Sequence, residues 1–275
     1  MGGLHWEVWI EDNTTGVFFM NQVIIAILQA RVSSSRLPSK VLRLLLGEPM
    51  IIRQIERESN ISCIDKLVVA TSKERSDDPL VELLENRGIE VFRGSLNDVL
   101  DRYYNVAIKY NADHVVRLTG DCPLADPAII KQTIEKHLFI DADYTSNCFP
   151  PTYPDGLDVE VVKFSVLEEA WKCAELPSER EHVMPYIRNN PEFFSICNVQ
   201  HNKDLSKNRW TVDELEDFVF VEQIYKELYP RNKNFNMNDI LKLLEKKPHL
   251  KEINYQIMRN EGALKSYKED KKFRS

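Results

Sequence analysis

The chain has 275 residues, with 36 lysines and arginines against 43 aspartates and glutamates, which gives a formal net charge of −7. This length is sufficient for one large domain or two with a full hydrophobic core. The acidic balance disfavours general binding to nucleic acids or anionic membranes, because both need a basic excess. No apolar run approaches the ~18 residues of a membrane span. The five cysteines are scattered without a C-x-x-C pair, which predicts a cytoplasmic protein with reduced thiols and no zinc site.

The first nineteen residues, MGGLHWEVWIEDNTTGVFF, lack the basic start and the small-residue cleavage site of a signal peptide. Met20 stands directly before the first predicted strand, as a natural start would. We therefore expect residues 1–19 to be an N-terminal extension that is peripheral to function. An extra edge strand formed by HWEVWI is the alternative.

From Val23 onward, apolar runs of strand length alternate with amphipathic helical patterns. The strands predicted in the first half are Val23–Leu28, Lys66–Ala70, Glu90–Phe92 and His114–Leu118, and the helices are Pro49–Glu58, Asp78–Arg87, Asn97–Tyr110 and one from Pro127 to about Leu138. Four such β-α units predict an α/β fold, with a mostly parallel sheet and helices on both faces.

The second half is less regular. Strands are predicted at 143–146, 157–162, 193–199 and 209–212, helices at 164–174 and 178–188, and mostly helical structure from Glu214. Because no linker is visible, we predict one domain over residues 20–230 and a helical C-terminal appendage over residues 231–275.

The loop after the first strand, ARVSSSRLPSK, carries Arg31, Arg36 and Lys40 around a run of three serines. Loops at the carboxyl ends of parallel strands are where α/β folds bind ligands. Backbone amides, hydroxyls and spaced cations suit a polyphosphate, whose charge needs several donors at once. The loop has no glycine and does not match the P-loop pattern, which disfavours an ordinary nucleotide hydrolase. A solvated basic loop is the alternative.

Two aspartates follow predicted strands and could hold a metal ion. Asp121 comes directly after the fourth strand, and Asp213 comes after the predicted strand at 209–212. Magnesium often binds one or two carboxylates together with phosphate oxygens. The alternative is that each aspartate only caps a turn or a helix.

A further polar group could orient a polyhydroxy ligand. Asp158 and Glu160 are two residues apart on a predicted strand, so they share one face, and Asp155 lies just before them. His182 belongs to a dense charged cluster, but the chain has no G-x-S-x-G pattern that would indicate a hydrolytic triad. An exposed sheet face and a surface salt-bridge cluster are the respective alternatives.

The segments ILQARVSSSRLPSKVL, TGDCPL and RWTVDELED together resemble the nucleotide-sugar cytidylyltransferases, which include the CMP-Kdo and CMP-sialate synthetases. VVATS, NDVLDRYY, YPDGLDVEV and LPSEREHVMPYIR extend the resemblance, which is nearest to the spore-coat polysaccharide SpsF-type branch and covers roughly Met20 to Lys268. The resemblance implies a Rossmann-like nucleotide-diphosphosugar transferase fold.

The resemblance also implies roles for individual residues. The triphosphate of CTP would be held by Arg31, Ser34, Arg36 and Lys40, the cytosine base would be read near Ala30, Thr71 and Ser72, and Mg²⁺ would be held by Asp121 and Asp213. The acceptor would be oriented by Asp155, Asp158, Glu160 and His182. The sialate synthetases have a second acid two residues before the last metal ligand, where this chain has Thr211. That departure leaves the number of metal ions open.

These features lead to the hypothesis of nucleotidyl transfer, in which CTP and Mg²⁺ activate a sugar or sugar acid for polysaccharide or glycan synthesis. In it, Arg31, Arg36 and Lys40 act catalytically by stabilising charge on the leaving pyrophosphate. The resemblance further implies a homodimer. One alternative is a GT-A-like glycosyltransferase, for which Asp141-x-Asp143 is the candidate D-x-D motif near the centre. Another is a nucleotide-binding protein without catalysis.

Overall fold

The computed structural model describes residues 22–257, 259, 266 and 270–273. The predicted N-terminal extension, with its alternative edge strand, lies outside them. The strands are β1 (Ile24–Gln29), β2 (Leu44–Leu45), β3 (Glu48–Pro49), β4 (Lys66–Ser72), β5 (Val91–Gly94), β6 (His114–Thr119), β7 (Tyr144–Ser146), β8 (Glu160–Lys163) and β9 (Ile196–Asn198). The helices are α1 (Met50–Glu58), α2 (Asp78–Glu85), α3 (Val99–Lys109), α4 (Pro127–Ile140), α5 (Phe164–Cys173), α6 (Pro177–His182), α7 (Pro185–Asn189), α8 (Leu215–Leu228) and α9 (Met237–Lys246).

Seven strands form one sheet in the order β5-β4-β1-β6-β8-β7-β9. The four strands of the β-α units, β5, β4, β1 and β6, are parallel to one another. Strand β8 runs antiparallel to β6 and to β7, and β9 is parallel to β7. The predicted mostly parallel α/β sheet is confirmed, and the carboxyl ends of β1, β4 and β6 lie side by side at one edge. None of the described helices is long and apolar enough to cross a membrane.

The central strand β1 is buried on both faces, as its uninterrupted apolar sequence requires. Ile24, Ala26 and Leu28 belong to a core that also contains side chains of α1, α4, α8 and α9. Ile25 and Ile27 belong to a second core, which contains side chains of α3, α5 and α7. Helices therefore cover both faces of the sheet, as predicted. Helix α9 lies beyond the boundary predicted at residue 230 yet contributes to the same core as α8.

The strand predicted at 209–212 is wrong. This segment makes only an isolated bridge between Asp155 and Arg209. Its backbone hydrogen bonds go to two different partners, since Trp210 N donates to Asp155 O at 2.6 Å and Val212 N donates to Asp121 O at 2.8 Å. An extended segment shared between two neighbours in this way does not form a ladder with either of them.

The helix predicted at 178–188 is also wrong, because two short helices replace it. Val183 adopts a positive φ of 71° after α6, and Pro185, which has no N–H to continue a helix, begins α7. The strain at a β-branched residue is offset by burial, since Val183 and Ile187 are fully buried in the second core.

Candidate active site

The loop after β1 is folded back on itself and tied to the end of β4. Val32 N donates to Asp77 Oδ1 at 2.7 Å, and Val32 O accepts from the backbone N–H groups of Ser34 at 2.8 Å and Ser39 at 3.1 Å. Asp77 is fully buried. These bonds give the basic loop a defined shape beside the end of β4.

Gly120, directly after β6, allows the metal-ligand candidate Asp121 to lie close to this loop. Gly120 N donates to Gln29 O at 2.8 Å, and a Cβ atom at position 120 would lie 2.9 Å from the Cβ of Ala30. A side chain would force the ends of β1 and β6 apart. Because the residue is glycine, Asp121 begins its turn directly beside the basic loop.

Lys40 is the centre of the site. Its ammonium group donates to Val212 O at 2.7 Å, to Asp213 Oδ1 at 2.9 Å and to Asp121 Oδ2 at 3.3 Å. The residue is only 9% exposed, and it joins three segments that are far apart in the sequence. The structure thus brings together the loop lysine and both candidate metal ligands.

These contacts shift the pKa of both partners toward their charged forms. Burial acts to lower the pKa of Lys40, but Asp121 and Asp213 outweigh it, so this pKa is raised. Burial likewise acts to raise the pKa of Asp121, but the charge of Lys40 and the hydroxyl of Thr119 bring it down to about 2. The pair is therefore ionised at neutral pH, as a site for phosphate and a cation requires.

Asp213 is positioned by an acid that the sequence analysis did not identify. Asp217 is fully buried, and its Oδ2 accepts from the backbone N–H groups of Asp213 and Glu214, each at 3.0 Å. Arg209 donates to both carboxylate oxygens of Asp217 at 2.9 Å. It also donates to Asp213 Oδ2 at 3.1 Å. The D-E-L-E-D spacing, which puts an acid four residues after Asp213, was the available signal.

Thr211 has a structural contact at the position where the sialate synthetases have an acid. Its hydroxyl donates to Asp121 O at 3.2 Å, beside the bond from Val212 N to the same oxygen. The threonine therefore holds the backbone of one metal-ligand candidate against the segment that carries the other.

A cavity of about 650 Å³ opens at this edge of the sheet. Eight of the predicted site residues line it: Ala30, Arg31, Ser34, Arg36, Lys40, Asp121, Asp213 and His182. Arg36 pairs with Asp213 at 2.9 Å. His182 also lines the cavity, and its Nε2 is 3.0 Å from the hydroxyl of Ser266. Burial lowers the pKa of His182, so its ring is neutral at neutral pH.

Thr71 and Ser72, predicted to contact the base, are not among the residues that line this cavity. Both are fully buried, and both hydroxyls donate to Asp77 Oδ2, at 2.9 Å and 2.5 Å. In the described structure these two residues hold Asp77, which in turn holds the basic loop.

The three carboxylates predicted to orient an acceptor also lie outside the cavity lining, and each has an arginine partner. Arg209 Nη1 contacts Asp155 at 3.1 Å. Arg259 Nη2 donates to both oxygens of Asp158, at 2.7 and 2.9 Å. Glu160 is 3% exposed and accepts from Arg117 at 2.5 Å. Only Arg117 of this network lines the cavity, so Glu160 acts on the cavity through Arg117.

The D-x-D candidate of a glycosyltransferase is remote from this site. Lys163 Nζ pairs with Asp141 at 2.9 Å and with Asp143 at 3.4 Å. Neither aspartate lines the cavity. The pair serves as a surface ion-pair cluster at the end of α4.

The donor set around Lys40 suits a magnesium ion. Oxygens of Asp121 and Asp213 lie within 3.3 Å of one cationic nitrogen, so both carboxylates reach a common point in the cavity wall. No cluster of three or more potential metal-ligating side chains occurs among the described residues. Mg²⁺ is often bound by two carboxylates, with phosphate oxygens and water completing its coordination.

Comparisons with known proteins agree with this geometry. A family model described as cytidylyltransferase matches residues 25–273. The chain is 38% identical over 251 residues to uncharacterized protein MJ1063 of Methanocaldococcus jannaschii, across 90% of this chain and 98% of that one. It is 31% identical over 236 residues to the spore coat polysaccharide biosynthesis protein SpsF of Bacillus subtilis, across 83% and 96%. A cytidylyltransferase structure from Leptospira borgpetersenii matches with a TM-score of 0.81 at 33% identity, covering 87% of this chain and 100% of that one.

Proposed function

The chain belongs to the cytidylyltransferase family, and on that basis we propose that it transfers the cytidylyl group of CTP to a sugar or sugar acid and releases pyrophosphate. The product would be a CMP-sugar for surface polysaccharide or glycan synthesis. The kinship with a spore coat polysaccharide protein supports this substrate class.

The observation that carries the proposal is the position of Lys40 between two carboxylates at the cavity wall, 2.9 Å from Asp213 and 3.3 Å from Asp121. A protein that binds an anion without a metal ion has no need of buried carboxylates beside its phosphate-binding cations, because they repel the ligand. The combination of cations and carboxylates suits a nucleoside triphosphate that binds together with a divalent metal ion.

In the proposed reaction, a hydroxyl oxygen of the acceptor attacks the α-phosphorus of CTP, and the bond to pyrophosphate breaks. Such transfers depend on positioning and on neutralising charge more than on covalent catalysis. Arg31, Arg36 and Lys40 line the cavity and would neutralise the negative charge that develops on pyrophosphate. Asp121 and Asp213 would hold Mg²⁺, which supplies Lewis-acid polarisation of a phosphoryl oxygen and lowers the pKa of a nearby hydroxyl.

His182 and Arg117 would orient the acceptor. Both line the cavity, and Glu160 holds Arg117 in place from the buried side. Glu160 would therefore support the acceptor region through Arg117 without direct contact, whereas Asp155 and Asp158 pair with Arg209 and Arg259 instead.

The test is pyrophosphate release from CTP with Mg²⁺ and a panel of sugars and sugar acids, for the native chain and for Lys40→Ala. We expect one acceptor class to support turnover and Lys40→Ala to lower kcat/KM by at least about a hundredfold, a size typical of a lost electrostatic group in a transition state. Lys163→Ala is the matched control, because Lys163 also bridges two aspartates but lies outside the cavity.

Near-native turnover by Lys40→Ala would contradict the proposed role of the cluster. Transfer from a nucleotide sugar, with no pyrophosphate released, would favour the glycosyltransferase instead. CTP binding without turnover on any acceptor would favour a nucleotide-binding protein.

A further inference from the structure

Arg102 is a buried cation in the cavity wall; it belongs to the NDVLDRYY segment, to which the sequence analysis assigned no role. It lies in the first turns of α3 and is only 2% exposed. Its side chain lines the cavity, and its Nε and Nη1 atoms have no hydrogen-bond partner among the described residues. Burying charged N–H groups without partners costs free energy, so their retention requires a compensating role.

The neighbouring strand leaves room for this arginine. A Cβ atom at Gly94, the last residue of β5, would lie 2.4 Å from Cγ of Arg102 and 3.2 Å from its Cδ. These atoms belong to the stem of the side chain, not to its flexible end. The arginine stem therefore passes directly over Gly94, and any larger residue there would push the guanidinium from its present position.

The charges around Arg102 favour an anionic partner. The pKa of its guanidinium group is lowered, and burial is the largest cause. The positive charge of Arg31 in the basic loop lowers this pKa further. Asp77 and Asp98 oppose this effect, but their carboxylates are engaged elsewhere. Asp77 accepts from the basic loop and from the end of β4, and Asp98 caps α3 by accepting from Asp101 N at 2.9 Å.

We propose that Arg102 is a further nucleotide-binding residue, whose guanidinium group donates to a phosphate oxygen of CTP beside Arg31. The inference rests on the proposed function. A phosphate between two guanidinium groups satisfies the orphaned donors of Arg102 and relieves its repulsion with Arg31. The family motifs in the sequence analysis assign phosphate binding to the basic loop after β1, whereas Arg102 adds a donor from α3 on the other side of the nucleotide.

The test is calorimetric titration of the full chain with CTP, CDP, CMP and cytidine, comparing the native protein with Arg102→Met. We expect Arg102→Met to weaken binding about tenfold to a hundredfold for every nucleotide that carries the contacted phosphate, and to leave cytidine binding unchanged. Arg102→Lys, which keeps the charge but not the forked donors, should have an intermediate affinity for CTP. The unliganded Arg102→Met protein should unfold at the same temperature as the native chain or higher, because an unpaired buried charge is removed.

Arg57→Met is the matched control. Arg57 belongs to α1 and, like Arg102, is almost fully buried, with 7% of its surface exposed. It lies in the core, outside the cavity lining, and donates to Ala125 O at 2.7 Å and to Phe235 O at 2.6 Å. Its loss should lower the melting temperature and leave the CTP affinity of the folded protein unchanged. Gly94→Ala provides a second variant that displaces Arg102 without removing it, and it should weaken CTP in the same direction as Arg102→Met.

Equal affinity of native and Arg102→Met protein for CTP, CDP and CMP would overturn the inference while leaving the proposed function intact. If Arg102→Met fails to fold, native affinity in Gly94→Ala overturns it in the same way. Failure of the native chain to bind CTP would overturn the proposed function together with this inference.

Discussion

At the scale of single residues, the site depends on buried polar side chains that do not touch the cavity. Gln54 is fully buried, donates to Thr119 O at 2.8 Å and accepts from Cys122 N at 3.2 Å. It thereby clamps the turn that carries Asp121. Gln54 also donates to Glu58 Oε1 at 2.8 Å, so Glu58 fixes the orientation of the clamp.

Glu58 should make stability depend on pH in a defined direction. Burial raises the pKa of its carboxyl from 4.5 to about 8, against smaller opposing effects of Gln54 and Arg57. Between these pH values the folded chain keeps a proton that the unfolded chain loses. This contribution to the free energy of unfolding is therefore complete below pH 4.5 and is lost as the pH rises through about 8, at up to about 1.4 kcal/mol per pH unit.

Glu58→Gln removes the titration and keeps an oxygen for the amide of Gln54. We expect the free energy of unfolding of this variant, relative to the native chain, to rise steadily from pH 5 to pH 7.5. Urea unfolding at several pH values measures it. Parallel stability profiles for the two proteins would show that Glu58 is ionised in the folded state.

Residues of this kind mark the limit of the sequence analysis. Lys40, Asp121 and Asp213 were identifiable because each belongs to a recognisable motif after an apolar run. Asp77, Arg102 and Asp217 were missed because their burial cannot be read from their own neighbours in the sequence. Thr71 and Ser72 are the last two residues of β4, and their hydroxyls donate to Asp77 and do not line the cavity.

At the scale of elements, apolar runs predicted the central strands β1, β4 and β6 well because these strands are largely buried between two layers of helices. The segment 209–212 reads as a short strand from Trp210 and Val212, but its hydrogen bonds are divided between Asp155 and Asp121. Local pattern cannot distinguish a ladder from such a shared segment. The break at Val183 was missed for a related reason, since its positive φ is imposed by core packing.

Gly156 should be indispensable for the segment that presents Asp213. It has a φ of +106°, and a Cβ there would lie 2.5 Å from Thr211 N and 2.6 Å from the carbonyl carbon of Trp210. Gly156→Ala must displace this backbone, so we expect destabilisation well beyond the ~1 kcal/mol of an unfavourable φ alone, together with weakened CTP binding. Thermal unfolding and CTP titration of the variant measure both effects.

Gly88→Ala isolates the contribution of φ. Gly88 has a φ of +68°, but no atom lies within 4 Å of a Cβ built there, and the residue follows α2 away from the cavity lining. Replacing Gly88 by alanine should lower the free energy of unfolding only by the cost of a positive φ, and it should leave the CTP affinity unchanged. Equal losses of stability in the two variants would show that the contact of Gly156 with 210–211 is not required.

At the scale of the whole molecule, this acidic protein places several lysine and arginine side chains around one cavity. The net charge is −7, yet Arg31, Arg36, Lys40, Arg102 and Arg117 all line the same cavity. Anion binding must then arise from short-range donors, because the overall field repels a triphosphate. The C-terminal part of the chain contributes too, since Ser266 lines the cavity and donates to Glu181 at 2.8 Å.

The central claim is that this cavity is a CTP site built around Lys40. Thermal unfolding of the full chain in Mg²⁺ with CTP, UTP, ATP or GTP at equal concentration tests it most directly. A ligand at one hundred times its Kd adds about 2.7 kcal/mol to the stability of the folded state. We predict a rise in melting temperature that is selective for CTP and is lost in Lys40→Ala; equal rises with all four nucleotides, or no rise with CTP, would contradict the account.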